Sequence, residues 1–292
     1  MKLLLPFDGS PAALRAVEFL AGHAGERGAF SALVLNVQKR PLTLWPGPSA
    51  TVGAMEAALM EEGASVLAPA LAQLAAARVP AQEEVRLGMP AQVILHEARA
   101  SGAQAIVMGT RGAGPLHGYA LGSVALRVAH GGAAPVMLVK PHDRLPAALG
   151  RRLRVLLAMD GSEPALRAAR LLLDWRSWLG ELEVHLAHVQ APLPTLQALL
   201  PPHDDLIAQW STRQGEEATQ AARELLRASG VAQHLHLSAG DAALELRTLA
   251  GQTAADLLVL GTRGRGAAHH AFVGSVALKA AAAVEIPVLL AA

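Results

Sequence analysis

Short apolar runs alternate with longer amphipathic stretches from one end of this chain to the other. Leu3–Phe7 is apolar and stops at Asp8-Gly9-Ser10, the pattern of a buried strand closed by a turn. Ser10 followed by Pro11 opens a helix in the favoured order of cap and first-turn proline, and Ala12–Ala24 carries Leu14, Val17 and Leu20 on one face. Ala32–Val37 reads as a second buried strand. The segment 38–50, with Pro41, Pro46, Gly47 and Pro48, reads as a loop. A long Ala/Leu-rich helix is predicted over Met55–Ala77, then a strand over Gln82–Leu87, a helix over Ala91–Ala100 and a strand over Ala105–Met108. A glycine-rich loop, a helix over Ser123–His130 and a last strand over Val136–Val139 complete the unit.

The second half repeats this plan 152 residues later, with strands near Leu153–Ala158, Glu183–His188, His234–Leu237, Leu257–Leu260 and Val288–Leu290. Asp8-Gly9-Ser10 returns as Asp160-Gly161-Ser162, Val37 as Val189, Gly88 as Gly240 and Pro135-Val136 as Pro287-Val288. A repeat of this length means duplicated globular domains, and 292 residues accommodate two of about 150. The domains are expected at 1–142 and 153–292, joined by a linker at 143–152. Strands alternating with helices imply crossover connections and a parallel, doubly wound α/β sheet in each.

Composition narrows the function. The chain is 52% hydrophobic but holds only four Phe, four Trp and one Tyr, so it offers no base-stacking surface. A net charge of +1 with scattered basic residues leaves no footprint for nucleic acid. The absence of cysteine excludes disulfides and thiolate chemistry and suits the cytoplasm. Pro6 and Asp8 interrupt the first apolar run too early for a signal peptide, and no apolar stretch is long enough for a membrane span.

Chemistry is expected beyond the carboxyl ends of the strands, where the order of a doubly wound sheet reverses. If the second and third strands lie to one side of the first, the fourth lies on the other. Asp8 and the loop from Gly109 then face one crevice. That loop reads Gly109-Thr110-Arg111-Gly112, nine residues, Gly122-Ser123, and recurs as Gly261-Thr262-Arg263-Gly264, nine residues, Gly274-Ser275. Glycines admit close approach of an oxyanion, and Gly122-Ser123 stands at a helix start whose N–H groups favour an anion. Asp8 and Asp160 can cap a turn, touch a ligand, or do both. Arg111 and Arg263 are candidates for phosphate approach. His117, and the pair His269-His270, read as solvated loop residues, and Trp175, Trp178 and Trp210 as core or interface fillers.

With an Asp-Gly-Ser turn after strand one, the sequence 107–112 followed by Gly122-Ser123 resembles the universal stress protein family, over both repeats. The spacing is that of the family's ATP-binding branch. The resemblance implies five parallel strands per domain in the order 3-2-1-4-5, with helices on both faces. It implies ATP, with Mg²⁺ accompanying the triphosphate, in each repeat. Val37 and Val189 would read the adenine through their backbone, and Asp8-Gly9 and Asp160-Gly161 would lie beside the ribose. The 109–124 and 261–276 loops, with Gly109, Gly112, Gly122, Ser123 and Val124 and their counterparts Gly261, Gly264, Gly274, Ser275 and Val276, would hold the phosphates. Gly88 and Gly240 would line the rim. Repeat two departs from the pattern at Ala158, where repeat one has Pro6, and at Glu163, where it has Pro11.

A dinucleotide oxidoreductase would need a glycine-rich turn after strand one and an acidic end to strand two, and neither is present. A P-loop is excluded because no Gly-Lys pair exists. Catalysis of hydrolysis would want a base and a charge-stabilising group at the γ-phosphate, and the repeats share no acid/base pair beyond the aspartates. A nucleotide-binding sensor is therefore the expected function, with a slow ATPase or a scaffold with empty sites as alternatives. The apolar last strands, 136–139 and 288–290, are expected to pair with each other as an internal pseudo-dimer, since bare sheet edges need cover. Whole chains can pair further through other surfaces.

Overall fold

The computed structural model describes residues 1–23, 30–40, 49–110, 121–146, 152–191, 204–262 and 273–291. Gly112, Gly264, Arg111, Arg263, His117 and His269-His270 lie outside them. The chain forms two compact units. The first carries Met1–Asp143, and the second carries Arg144–Pro146 together with the second repeat.

The first unit runs β1 (Lys2–Pro6), α1 (Pro11–His23), β2 (Ser31–Gln38), α2 (Ser49–Ala76), β3 (Ala81–Leu87), α3 (Pro90–Ala100), β4 (Ala105–Gly109), α4 (Ser123–His130) and β5 (Val136–Val139). All neighbouring strands are parallel, in the order β3-β2-β1-β4-β5. Helices cover both faces. Gly63 of α2 abuts Val85, whereas the next residue, Arg86, donates through Nε to Glu97 of α3 at 3.0 Å. Successive strand residues point to opposite faces, so α2 and α3 lie on opposite sides of the sheet. Leu3, Leu4, Leu5, Val34, Ile106 and Val107 are fully buried between these layers. Two-sided burial explains why these strands read as continuous apolar runs.

The second unit runs β6 (Leu153–Ala158), α5 (Glu163–Asp174), α6 (Arg176–Leu179), β7 (Leu182–Gln190), α7 (Asp204–Ala228), β8 (Ala232–Ala239), α8 (Ala242–Gln252), β9 (Leu257–Gly261), α9 (Ser275–Ala283) and β10 (Val288–Ala291). Its parallel order, β8-β7-β6-β9-β10, repeats that of the first. Glu163 stands where the first unit has a first-turn proline, and α5 still opens on a capped first turn. Ser162 accepts from the Ala165 N–H at 3.4 Å, and Pro164 supplies the preset backbone one position later. Trp175 and Trp178 are buried with ring centroids 5.5 Å apart, as core fillers. The side chain of Trp210 lies outside the described residues.

One expectation needs adjusting. The long helix α2 begins at Ser49, six residues before Met55. The segment expected to link the domains is anchored at its start. The Asp143 carboxylate accepts from the Lys140 N–H at 2.7 Å, and its carbonyl accepts from Arg15 of α1. Arg144 donates through its N–H to Glu285 and through its side chain to the Ala255 carbonyl. Among the described residues no helix is long and apolar enough to cross a membrane.

Candidate functional site

In each unit the strand order reverses between the first strand and its neighbour, and several of the expected residues stand at the carboxyl ends of these strands. Asp8 follows β1, and β1 pairs with β4, whose end is Gly109. Asp8 does act as a turn cap, accepting from the Ser10 N–H at 3.1 Å, while Ser10 Oγ accepts from the Ala13 N–H at 3.3 Å to start α1. Asp160 makes the same bond to the Ser162 N–H at 3.0 Å. Gly9 and Gly161 share φ +75° in these turns. Asp8 is exposed and Asp160 half-buried, so both carboxylates border solvent at the crevice.

One bond that fixes these aspartates was not evident in the sequence. The Asn36 side chain, buried in β2, donates to the Phe7 carbonyl at 2.8 Å. His188, at the matching position of β7, brings Nδ1 to 2.8 Å from the Met159 carbonyl. The residue preceding each aspartate is thus held by the neighbouring strand, once by an amide and once by an imidazole that must carry its proton on Nδ1.

The same strands present the Val37 and Val189 backbones. The Leu35 carbonyl accepts from the Phe7 N–H, and the Gln38 carbonyl accepts from the Gly88 N–H on the opposite side. Alternation along a parallel ladder turns the Val37 peptide back to the β1 side, past the end of β1 and toward the crevice. The bonds of Met159 to Ala187 and of Gly240 to Gln190 set Val189 identically. Gly88 and Gly240 follow β3 and β8 at φ +151° and +149°, which side-chain-bearing residues rarely adopt. Asp241 then caps α8, accepting from the Ala243 and Leu244 N–H groups.

The repeated glycines divide into two kinds. A Cβ on Gly109 would stand 2.6 Å from the Ala12 backbone carbon and 2.7 Å from the Ala13 nitrogen; on Gly261 it would stand 2.8 Å from Ala165 N and Pro164 C. Close packing of the first helix on the strand end is sufficient reason for glycine there. Gly274 is different. Its φ of −62° suits any residue, and a Cβ would meet only the Thr262 carbonyl, at an ordinary 3.7 Å. Nothing in the described chain requires glycine at that position. Gly122 takes the same conformation, φ −63°.

Both glycines are helix N-caps without a side-chain cap, and each donates its own N–H across the loop base, Gly122 to Thr110 and Gly274 to Thr262, at 2.7 Å. The first-turn N–H groups of α4 and α9 have no intrahelical partner, as in any helix, and project a partial positive charge. Ser123, Ser275 and Val276 of those turns are exposed and Val124 is half-buried. The arrangement can hold an anion at the helix start, with a polar aspartate turn and a strand backbone alongside.

Sequence comparison agrees with this architecture. The universal stress protein family profile matches residues 1–140 and again 152–292. A universal stress protein of Mycolicibacterium smegmatis is 29% identical over 209 residues, 72% of this chain and 68% of that protein. One from Thermus aquaticus is 34% identical over 143 residues, 47% of this chain and 96% of that protein. The crystal structure of a universal stress protein from Archaeoglobus fulgidus superposes with a TM-score of 0.70 at 23% identity, covering 99% of this chain and 95% of that one, a likeness of fold. With both repeats matched by its profile, this chain belongs to the universal stress protein family.

Proposed function

We propose that each unit binds one ATP, with Mg²⁺ on its phosphates, and that the protein serves as a nucleotide-binding sensor or regulatory module. Gly274 carries the reading: neither its backbone conformation nor its neighbours among the described residues call for glycine, whereas a phosphate seated on the α9 N-terminus would. In this reading Gly122, Ser123 and Val124, and Gly274, Ser275 and Val276, hold phosphates. The Val37 and Val189 peptides read adenine, and Asp8 and Asp160 border the ribose.

Calorimetric titration with ATP tests it on the wild type and on Gly122→Val and Gly274→Val, with melting curves to show that each variant folds. The wild type should take two equivalents and each variant one. Undiminished stoichiometry in both folded variants would sink the assignment. Steady release of ADP in the same samples would favour the slow-ATPase alternative.

The proposal extends to assembly, with the strands at 136–139 and 288–290 pairing within one chain. Cysteines at Met137 and Leu289, in a chain with none of its own, should cross-link intramolecularly at high dilution. Exclusively intermolecular products, or none, would overturn the pairing.

A further inference from the structure

The second unit carries a cluster that the first lacks, at the opposite end of its strands from the nucleotide crevice. Glu183 and His185 alternate on β7, and His234 and His236 alternate on β8. The parallel register sets His185 directly beside His234. All four share one face. Gly215 of α7 packs against His188 and Leu237, so 183, 185, 234 and 236 lie on the other side of the sheet. The matching positions of the first unit are Ser31, Leu33, Gln82 and Glu84, with Leu33 registered against Gln82 in the same way. The cluster is therefore no relic of duplication.

Its geometry suits a cation better than it suits itself. His234 Nε2 is 3.2 Å from Glu183 Oε1, and His185 Nε2 is 3.6 Å from the same oxygen. One donor atom from each of the three residues lies within 4.8 Å of the others. A tetrahedral zinc with ligands at roughly 2.0–2.1 Å spaces its donors about 3.3 Å apart. His185 Nε2 is buried and makes no hydrogen bond, an expensive state for a polar nitrogen. The other ring nitrogen explains the orientation: His185 Nδ1 lies 2.9 Å from His236 Nε2. With the proton on Nδ1 and donated to His236, the Nε2 lone pair points at the space shared with Glu183 and His234. Metal-bound imidazoles are commonly fixed in this way by a partner on the second nitrogen. His234 stands at the open side of the cluster, its side chain 53% exposed, and gives an ion a route in.

We propose that Glu183, His185 and His234 form a binding site for a divalent transition ion of the zinc class, with a fourth position open to water, and that His236 is a positioning residue for His185. Two imidazoles and a carboxylate favour Zn²⁺ over the hard ions Mg²⁺ and Ca²⁺, which take oxygen ligands. The site is separate from the nucleotide crevice: His185 and Val189 are four residues apart along β7, about 13 Å at the rise of a strand.

Full-length, untagged protein stripped by chelator and dialysed provides the test. Titration with ZnCl₂ should give one equivalent, and Co²⁺ in its place should give the visible absorption of a tetrahedral site. His185→Leu and His234→Gln install the residues of the first unit, and each should weaken zinc on the order of 100-fold; His236→Ala should weaken it about 10–100-fold. Failure to saturate at one equivalent, or wild-type affinity in His234→Gln, would overturn the site. His234→Gln decides even if His185→Leu does not fold, because its side chain is largely exposed. Its thermal melt shows whether a lost site is mere unfolding.

Discussion

Asn36 reaches from the end of β2 to the Phe7 carbonyl, a 2.8 Å hydrogen bond between adjacent strands that fixes the residue just before Asp8. Asn36 is 3% exposed, and its own oxygen accepts from Gln38 Nε2 at 3.1 Å. Asn36→Ala removes the donor and strands a carbonyl in a dry place. The expected loss is about 1–3 kcal/mol in the unfolding of the first unit. Denaturant titration followed by circular dichroism measures it. On the proposed nucleotide reading, ATP affinity at the first site should fall as well, since Asp8 loses its anchor. An unchanged midpoint would mean that the bond contributes nothing net.

A second prediction separates the two kinds of repeated glycine within one unit. Gly261→Ala drives a methyl into the backbone of Pro164 and Ala165, at 2.8 Å from each. Either α5 or β9 must shift, at a cost of about 1–3 kcal/mol. Among the described residues Gly274→Ala meets only an ordinary contact at 3.7 Å, and its cost should stay within about 1 kcal/mol, the scale of an N-cap change. Thermal melting of the two variants side by side checks the ranking. The reverse order would show that packing, and not a ligand, explains the glycine at 274.

The alternation of buried strands and amphipathic helices was legible because each sheet is covered on both faces, which turns the strands into continuous apolar runs such as Leu3–Leu5 and Leu257–Leu260. Their ends were less so. β7 runs on to Gln190 and β8 to Ala239 because ladder bonds continue where apolar residues give way to polar ones. The turn aspartates and the glycine spacing were visible as repeated letters. Asn36 and His188 were not, because two different side chains make the same bond to a backbone carbonyl. Gly109 and Gly261 show a different limit: a glycine demanded by a neighbouring helix looks the same in sequence as one demanded by a phosphate. The Glu183, His185 and His234 cluster needed the β7–β8 register, since residues 49 positions apart become neighbours only through strand pairing.

The last prediction concerns Asp143, 1% exposed at the close of the first unit. Burial pushes its carboxyl above the ordinary value of 3.8, against the pull of Lys140, whose Nζ stands 3.2 Å from Oδ1, and of Arg15. Desolvation outweighs these two cations. An acid whose folded value is raised binds its proton more tightly in the native state than in the unfolded one. Its contribution to stability is therefore complete in acid and is lost as pH rises from 3.8 through the folded value. Asp143→Asn keeps an oxygen to accept from the Lys140 N–H but never ionises. The variant should melt like the wild type at the acid end of that window and gain on it as pH rises, reaching a constant difference once the native carboxyl is charged. Melting temperatures of both proteins across the acid-to-neutral range measure the effect. If the variant instead falls behind the wild type as pH rises, the charge pairs at Lys140 and Arg15 outweigh the burial of the carboxylate.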